Sequence, residues 1–539
     1  MLINDEITIP LGDANWFGLG ALRNQRLTLE KLSIPLSPLI SADPITPGLG
    51  ETGFLGILEP FWFNSKGEGF YVESEQLISF SFNAPIGEVP GGMSRPYLAA
   101  EIKTDKYLKI FGKDFNLHIF KCKNAKEVVE AYYKIINKCN PPEIKYFEKP
   151  LWTTWANFKN DINHEKVLKT AEDIIKHGFT CGVFGIDAKW QKEFGDSSFD
   201  KDKFPDSKGL IKQIHDLGFE ASVWNVPFFN RGSEHFEEAI SKGYVLRNAE
   251  DNSPYIGRWW EGEAVFLDLT NLDALEWHFN NLKKLADITG LDGFKFDAGE
   301  AGFYLNSRIK GSAEMPPQLA GKRYMQKVSE AFPWSDARTG WRTQDAKILL
   351  RQWDKNSTWG YDNGLASCIT QSINLNLLGY RYNFPDMIAG NEYGEEKVSE
   401  ELMVRWIQAV APMPFIQFSI PPWRFGKECA QLCLRYTQLH AQFSKINHEI
   451  AKSGMPIVRP LWWLSPEDEK ALNCEDQYLI GDDYLVAPVI EPKKHSRDIY
   501  LPQGSWQSFW DKSEVHTGNQ TLRSYDATIE TLPLFQRIT

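Results

Sequence analysis

The sequence predicts an α/β fold, a (β/α)8 TIM barrel flanked by an N-terminal β-sandwich and a small C-terminal β domain. Through the middle of the chain, short apolar runs alternate with amphipathic helical runs, as in repeated βα units. At both ends, short strand-like runs are separated by turns rich in Gly, Pro and Asn. The length of 539 residues also suits about three domains.

The change in pattern sets the expected domain boundaries. Residues 1–147 are predicted to form the N-terminal β-sandwich, with strand-like runs such as Leu77–Phe82. Residues 148–447 are predicted to form the catalytic barrel. Strand-like runs return after about residue 450, so residues 448–539 are predicted to form the C-terminal β-sandwich domain.

Eight strand-like runs fit into the barrel region. The first is followed by a helix through His164–His177, whose apolar side chains share one face and which ends before Gly178, a C-cap residue. No Gly-rich phosphate fingerprint follows the first strand, which favours a barrel over a doubly wound sheet. The predicted strands are 151–157, 182–187, 221–227, 293–297, 336–341, 358–361, 381–384 and 414–419.

Composition excludes several classes of partner. The net charge of −12 and the absence of basic runs argue against nucleic acid and anionic membrane surfaces. No apolar run approaches the length of a membrane span, and no signal peptide is visible. Seven cysteines without tight spacing favour a reducing cytoplasm. We therefore expect a cytoplasmic protein, with homo-oligomerisation left open.

Metal and cofactor motifs are missing from the sequence. The ten histidines show no paired ligand spacing, and neither a phosphate-binding loop nor a serine elbow is present. We expect no metal and no cofactor, which agrees with hydrolysis by two carboxyl groups.

Two predicted strands end in an acidic residue. GFKFD ends in Asp297, and STWGYD ends in Asp362. Catalytic groups of a βα barrel lie at the carboxyl ends of its strands. Two carboxylates there are what a glycosidase needs, one as nucleophile and one as proton donor. Either residue alone could equally be a helix cap or a turn residue, so the prediction depends on the pair.

Three further residues are candidates for the same site. Asp187 ends another predicted strand and could accept hydrogen bonds from sugar hydroxyls, or pair with Lys189. Arg342 and Arg351 lie between the two carboxylates along the chain, and an arginine beside the nucleophile would keep it ionised. Arg351 falls in a run that reads as a helix, so Arg342 is preferred.

With these residues in place, the chain resembles glycoside hydrolase family 31, the retaining α-glycosidases. The resemblance covers nearly the whole length and rests on several motifs in the same order. These are LEPFWF (58–63), DAKWQKEFGDSSFDKDKFPD (187–206), DLTNLDALEW (268–277), GFKFDAGE (293–300), ELMVRW (401–406), GMPIVRPL (454–461) and GDDYLVAPV (481–489).

The resemblance implies roles for individual residues. Asp297 would be the nucleophile and Asp362 the general acid/base. The residues expected to bind the sugar or line its pocket are Asp187, Trp224, Lys295, Arg342, Asp386 and Trp155. A sugar-binding histidine common in the family is replaced by Ser419, and the motifs look closest to an α-galactosidase-like branch. The identity of the sugar therefore stays open between galactose and glucose.

The sequence thus predicts a retaining exo-α-glycosidase that releases a terminal non-reducing sugar from a small oligosaccharide or α-glycoside by double displacement. Two alternatives remain. A transglycosylase or lyase on the same scaffold would yield transfer or elimination products, and a non-catalytic carbohydrate-binding protein would hydrolyse no aryl α-glycoside.

Overall fold

The structure, a computed structural model, describes residues 5–46, 48–86, 97–304 and 308–538. Its N-terminal region consists of two antiparallel sheets, in the orders β1-β8-β6-β3-β7 and β2-β4-β5-β9, which share one apolar core. This confirms the predicted β-sandwich. The strands are β1 (Asp5–Pro10), β2 (Trp16–Leu22), β3 (Leu32–Pro38), β4 (Phe54–Asn64), β5 (Glu68–Ser74), β6 (Ser79–Phe82), β7 (Tyr97–Leu98), β8 (Tyr107–Gly112) and β9 (Phe115–Lys121), followed by helices α1 (Ala125–Tyr132) and α2 (Lys145–Glu148).

Eight parallel strands form the central barrel, in the order β21-β20-β19-β17-β12-β11-β10-β22. The circle closes beside β22, where Met387 bridges to Gln417 and the Ile388 amide donates to the Gln417 carbonyl at 2.8 Å. The predicted barrel is thus confirmed. Its strands are β10 (Leu151–Thr153), β11 (Val183–Ile186), β12 (Glu220–Asn225), β17 (Gly293–Phe296), β19 (Ser335–Ala337), β20 (Ile348–Arg351), β21 (Asn383–Phe384) and β22 (Gln417–Phe418).

Amphipathic helices cover the barrel. In α4, the Asn163 side chain accepts a hydrogen bond from the Lys166 amide at 2.9 Å and caps the first turn. The helices are α3 (Trp155–Phe158), α4 (His164–Lys176), α5 (Ser207–Asp216), α6 (Phe236–Ser241), α7 (Leu272–Thr289), α8 (Pro317–Ala331), α9 (Leu365–Leu377), α10 (Glu400–Val410) and α11 (Lys427–Lys452). Short strands between β12 and β19 are β13 (Phe228–Asn230), β14 (Arg247–Asn248), β15 (Ile256–Trp259), β16 (Gly262–Phe266) and β18 (Ile309–Lys310).

One barrel strand lies elsewhere than predicted. The sixth strand is β20, whose four residues are all buried, and not residues 358–361. A continuous apolar run such as ILLR cannot be distinguished from a buried helix by periodicity, so its strand character was missed. The segment near Tyr361 instead lies against the N-terminal region, because the Gln25 amide donates to the Tyr361 carbonyl at 3.0 Å.

The C-terminal region is a small β domain, as predicted. A six-stranded sheet in the order β23-β24-β25-β30-β27-β28 lies beside a two-stranded one. The elements are β23 (Val458–Arg459), α12 (Glu469–Asn473), β24 (Tyr478–Ile480), β25 (Tyr484–Val486), β26 (Ser496–Leu501), β27 (Ser505–Ser508), β28 (Val515–Thr517), β29 (Gln520–Asp526) and β30 (Leu534–Arg537). Within the described ranges, every helix is too short or too polar to cross a bilayer.

Candidate active site

A cavity of about 290 Å³ opens at the carboxyl ends of the barrel strands, where a βα barrel carries its chemistry. Most of its lining comes from loops that follow these strands, and Asp43 and Ile45 come from the N-terminal region. The lining residues are Asp43, Ile45, Trp155, Asp187, Ala188, Trp224, Trp260, Glu261, Lys295, Asp297, Arg338, Trp353, Asp354 and Tyr393.

Asp297 lies at the base of this cavity, immediately after β17. Its Oδ2 accepts a hydrogen bond from Trp224 Nε1 at 3.0 Å. Its Oδ1 is 2.9 Å from Arg351 Nη2 and 3.0 Å from Arg338 Nε. Burial favours the neutral acid, but Arg338 and Arg351 together hold the pKa of Asp297 below its ordinary value. The residue is therefore ionised, which is the form that the predicted role of Asp297 would require.

Arg351 is the electrostatic centre of the site. Its guanidinium is completely buried and lies within 3.3 Å of four carboxylates. They are those of Asp297 at 2.9 Å, Asp336 at 3.2 Å, Asp354 at 2.5 Å and Asp386 at 3.3 Å. The planar guanidinium of arginine has several N–H donors and can therefore pair with more than one carboxylate. Asp297 and Asp354 thereby share one cation.

Asp354 is the second carboxylate of the cavity. It lies three residues after the end of β20, and its Oδ2 accepts a hydrogen bond from the Tyr393 hydroxyl at 2.6 Å. Tyr393 in turn accepts one from Trp155 Nε1 at 2.8 Å. Burial would raise the pKa of Asp354, but Arg351, with Arg338, lowers it well below its usual range. The Asp354 side chain is 16% exposed, against 10% for Asp297.

Asp362, predicted as the partner of Asp297, lies outside the cavity. Its side chain is 65% exposed and pairs with Arg23 Nε of the N-terminal region at 3.2 Å. The loop carries it away from the strand end, because the Asn363 amide donates to the Arg23 carbonyl at 2.9 Å. The structure thus corrects the sequence expectation, and Asp354 is the carboxylate that joins Asp297.

Arg342 also lies away from Asp297. Its Nη2 contacts Glu73 Oε1 at 2.6 Å, and its amide donates to Glu59 Oε2, so it connects the barrel to the N-terminal sheets. The arginines beside Asp297 are Arg338 and Arg351. The preference for Arg342 over Arg351 was wrong because Arg351 is in a strand.

Asp386 and Ser419 lie behind the cavity wall. Asp386 Oδ2 accepts hydrogen bonds from the Lys355 amide and Asn391 Nδ2, both at 2.8 Å, while Oδ1 faces Arg351. It supports Arg351 and does not line the cavity. Ser419 is 2% exposed, and its hydroxyl oxygen accepts a hydrogen bond from the Ala156 amide at 2.6 Å.

The other predicted residues do line the cavity. Lys295 Nζ contacts Asp187 Oδ2 at 2.7 Å, and Thr153 donates to the same oxygen at 2.9 Å. Burial disfavours the ammonium of Lys295, but Asp187 reverses this effect and the pKa of Lys295 is raised. Trp224 and Trp155 supply aromatic walls. Asp187 is thus a fixed acceptor that faces any ligand in the cavity.

Sequence reasoning missed several lining residues. For Asp354 a signal existed, since ILLRQWD is an apolar run followed closely by an acid, the same pattern that identified Asp297. Arg338 directly follows Ala337, the last residue of β19. Asp43 had no such signal. It reaches the cavity from the N-terminal region, where its Oδ2 pairs with Arg338 Nη2 at 2.9 Å.

Comparison with known families supports this picture. Residues 146–444 match the glycosyl hydrolases family 31 TIM-barrel domain. Residues 454–538 match the glycosyl hydrolase family 31 C-terminal domain.

Some individual proteins and solved structures that resemble this chain are also glycoside-acting enzymes by name. The chain is 32% identical to the mouse (Mus musculus) myogenesis-regulating glycosidase over 94% of its own length and 73% of that protein. It is 27% identical to the α-xylosidase XylQ of Lactiplantibacillus pentosus, over 84% of its own length and 59% of the relative. The fold matches a dextranase of Flavobacterium johnsoniae complexed with glucose, with a TM-score of 0.84 at 20% identity, covering 99% of this chain and 67% of the other.

Proposed function

Because the chain belongs to glycoside hydrolase family 31, we propose that it is a retaining exo-α-glycosidase acting on a terminal α-galactoside or α-glucoside. One observation carries the proposal. Asp297 and Asp354 line the same cavity and contact adjacent nitrogens of a single buried guanidinium. Two carboxylates held on either side of a bound sugar are the machinery of glycoside hydrolysis.

In the first step, ionised Asp297 attacks the anomeric carbon. The bond between this carbon and the leaving oxygen breaks, and Asp354 gives a proton to that oxygen. This step uses the protonated form of Asp354, which Arg351 and Arg338 disfavour before substrate binds. The product is a glycosyl ester of Asp297 and a free leaving group. Arg338 and Arg351 support this step because they keep Asp297 ionised in a buried place.

In the second step, Asp354 acts as a base. It removes a proton from water, the water oxygen attacks the anomeric carbon, and the ester bond to Asp297 breaks to release the sugar. Esterification has removed the negative charge of Asp297, so Arg351 is left to favour the anionic form of Asp354 more strongly. This change of charge suits the change of Asp354 from acid to base.

The shape of the cavity supports exo action. Asp43, held by Arg338, closes it on the side of the N-terminal region, Ile45 lies at the rim of that side, and barrel loops form the remaining walls. A pocket closed in this way receives the end of a chain more readily than its middle. Asp187, Lys295 and Trp224 surround the place beside Asp297 that the terminal sugar would fill.

A substrate panel with product analysis tests this proposal. The protein would be incubated with nitrophenyl α-galactoside, α-glucoside and α-xyloside, and proton NMR would follow the first anomer released. We expect hydrolysis of at least one of the first two with the α-anomer formed first. First release of the β-anomer would reject the retaining mechanism, and transfer or elimination products would indicate the transglycosylase or lyase alternative.

The variant Asp297→Ala supplies the control. We expect a loss of about 10⁴-fold or more in kcat, as is usual when a nucleophile is removed, with the circular dichroism spectrum unchanged. Absence of turnover by the wild-type protein on every substrate would favour a carbohydrate-binding role.

A further inference from the structure

The solvent exposure of the lining residues increases from the base of the cavity to its opening. Side chains around the nucleophile are buried, with exposures of 2% for Asp187, 3% for Trp224 and 5% for Lys295. Towards the opening, Ile45 is 47% exposed, and Glu261 is partly exposed. When the terminal sugar of a substrate reaches Asp297, the leaving group must therefore lie at the opening of the cavity, beside Ile45 and Glu261.

Glu261 has a fixed place at this opening. It occupies the turn between β15 and β16, where Asn230 Nδ2 donates to the Glu261 carbonyl at 2.9 Å and Asn230 Oδ1 accepts from Trp259 Nε1 at 2.8 Å. Its side-chain Oε1 accepts a hydrogen bond from Asn160 Nδ2 at 3.0 Å. Hydrogen bonds to both the backbone and the side chain thus fix the position of Glu261.

Asn160 ties Glu261 to the side of the cavity that carries Asp354. The neighbouring Lys159 places its ammonium 5.2 Å from the ring centre of Trp155 and 5.1 Å from that of Tyr393. Tyr393 donates directly to Asp354. Since Asp354 must protonate the leaving oxygen, Glu261 lies on the side where the leaving group departs.

The charges of the lining limit the chemistry of that group. Lys295 is paired with Asp187, and Arg338 is paired with Asp43, so both cations of the described cavity lining already contact carboxylates. Trp260 and Ile45 offer apolar surface, and Glu261 offers an acceptor. Such a mixture suits the C–H face and the hydroxyl groups of a sugar and repels an anionic group.

We propose that Glu261, with Trp260 and Ile45, forms a leaving-group subsite for a neutral sugar, whose hydroxyls donate to the Glu261 carboxylate. This inference rests on the proposed glycosidase function. It defines the substrate class as a neutral α-linked disaccharide or oligosaccharide, in preference to glycosyl phosphates or glycosides of acidic sugars.

Paired substrates test the subsite. We would measure kcat/KM for an α-linked disaccharide and for the glycosyl fluoride of the same terminal sugar, which has no leaving-group ring. In Glu261→Ala, we expect the disaccharide value to fall about 10- to 100-fold, as for a lost charged hydrogen bond, and the fluoride value to change less than about twofold. Glu263→Gln, on an exposed position of the same hairpin, should change neither.

The outcomes separate this inference from the proposed function. Equal losses on both substrates would place Glu261 at the terminal sugar, and no loss on either would remove it from substrate binding. Either result overturns the subsite while the glycosidase stands. Faster wild-type turnover of a glycosyl phosphate than of every neutral disaccharide would also overturn it. Failure of the wild-type protein on fluorides as well as disaccharides would instead reject the proposed function.

Discussion

The loop after β20 carries two aspartates with opposite surroundings. Asp354 lies only three residues after the end of the strand, contacts buried Arg351 and Tyr393, and lines the cavity. Asp362, eight positions further along, is mostly exposed and pairs with Arg23 of the N-terminal region. Closeness to the strand end decides the difference, because the barrel fixes the first loop residues and other contacts fix the later ones.

The two ion pairs also differ in energy. Arg351 is inaccessible to water, so each of its carboxylate partners interacts in a medium of low polarity. Arg23 and Asp362 are both substantially exposed, and such a pair contributes about 0–1 kcal/mol. The buried environment therefore affects the ionisation of Asp354 far more than the exposed one affects Asp362.

The largest expected difference concerns activity. Asp354→Ala should lower kcat/KM for an unactivated disaccharide about 10²- to 10⁴-fold, the usual contribution of acid–base catalysis. Activity on the glycosyl fluoride should fall much less in the first step, since fluoride leaves without a proton. Added azide, which attacks without a base, should yield a glycosyl azide.

Asp362→Ala is the matched control, with a change of less than about twofold expected for an exposed side chain outside the cavity. If this variant lost activity and gave the azide product while Asp354→Ala did not, the comparison would be reversed.

The second difference concerns stability. Arg351→Met leaves four carboxylates without their shared cation, and removal of one partner of a buried pair typically costs about 3–5 kcal/mol. Arg23→Met should cost no more than about 1 kcal/mol. Urea unfolding of both variants at neutral pH measures the difference, and equal midpoints would contradict it.

A buried carboxyl group, that of Glu300, lies outside the loop after β20 and should make stability depend on pH. Glu300 is 0% exposed, and burial raises its pKa to about 7 although Arg338 Nε lies 2.7 Å away. The folded protein keeps this proton up to about pH 7, whereas the unfolded chain loses it near the ordinary value of 4.5. Stability from this group is therefore complete at low pH and falls, by up to about 3 kcal/mol, as the pH rises to 7.

The variant Glu300→Gln cannot titrate and should lack this part of the pH dependence. Unfolding by urea at pH 5 and pH 8 would show a smaller decline for the variant than for the wild type. Identical declines would mean that Glu300 ionises normally in the folded protein.

The smallest expected effect belongs to Tyr393. Its hydroxyl stabilises ionised Asp354, so Tyr393→Phe should raise the pKa of Asp354 towards its ordinary value. A hydrogen bond to a charged group is worth about 1.5–3 kcal/mol. The high-pH limb of kcat/KM for a disaccharide should consequently move to higher pH. If the high-pH limb did not move, Tyr393 would have no influence on the pKa of Asp354. Tyr361→Phe, outside the cavity, serves as the control.

Much of this architecture follows from local sequence patterns. The barrel and its flanking β domains follow from strand and helix periodicities, which depend on which side chains are buried. Asp297 is recognisable because a short apolar strand ends in it, and Asp187 for the same reason. These features depend on residues close together in the chain, so the chain alone reveals them.

Tertiary structure decided the rest. The sequence favoured Asp362 and Arg342, and the fold instead brought Asp354, Arg338 and the less favoured candidate Arg351 to Asp297. It also delivered Asp43 from the N-terminal region, 295 positions before its partner Arg338. The physical reason is that a catalytic site consists of charges close together in space. Loops after different strands can meet there only once the barrel closes and the N-terminal sheets pack against it.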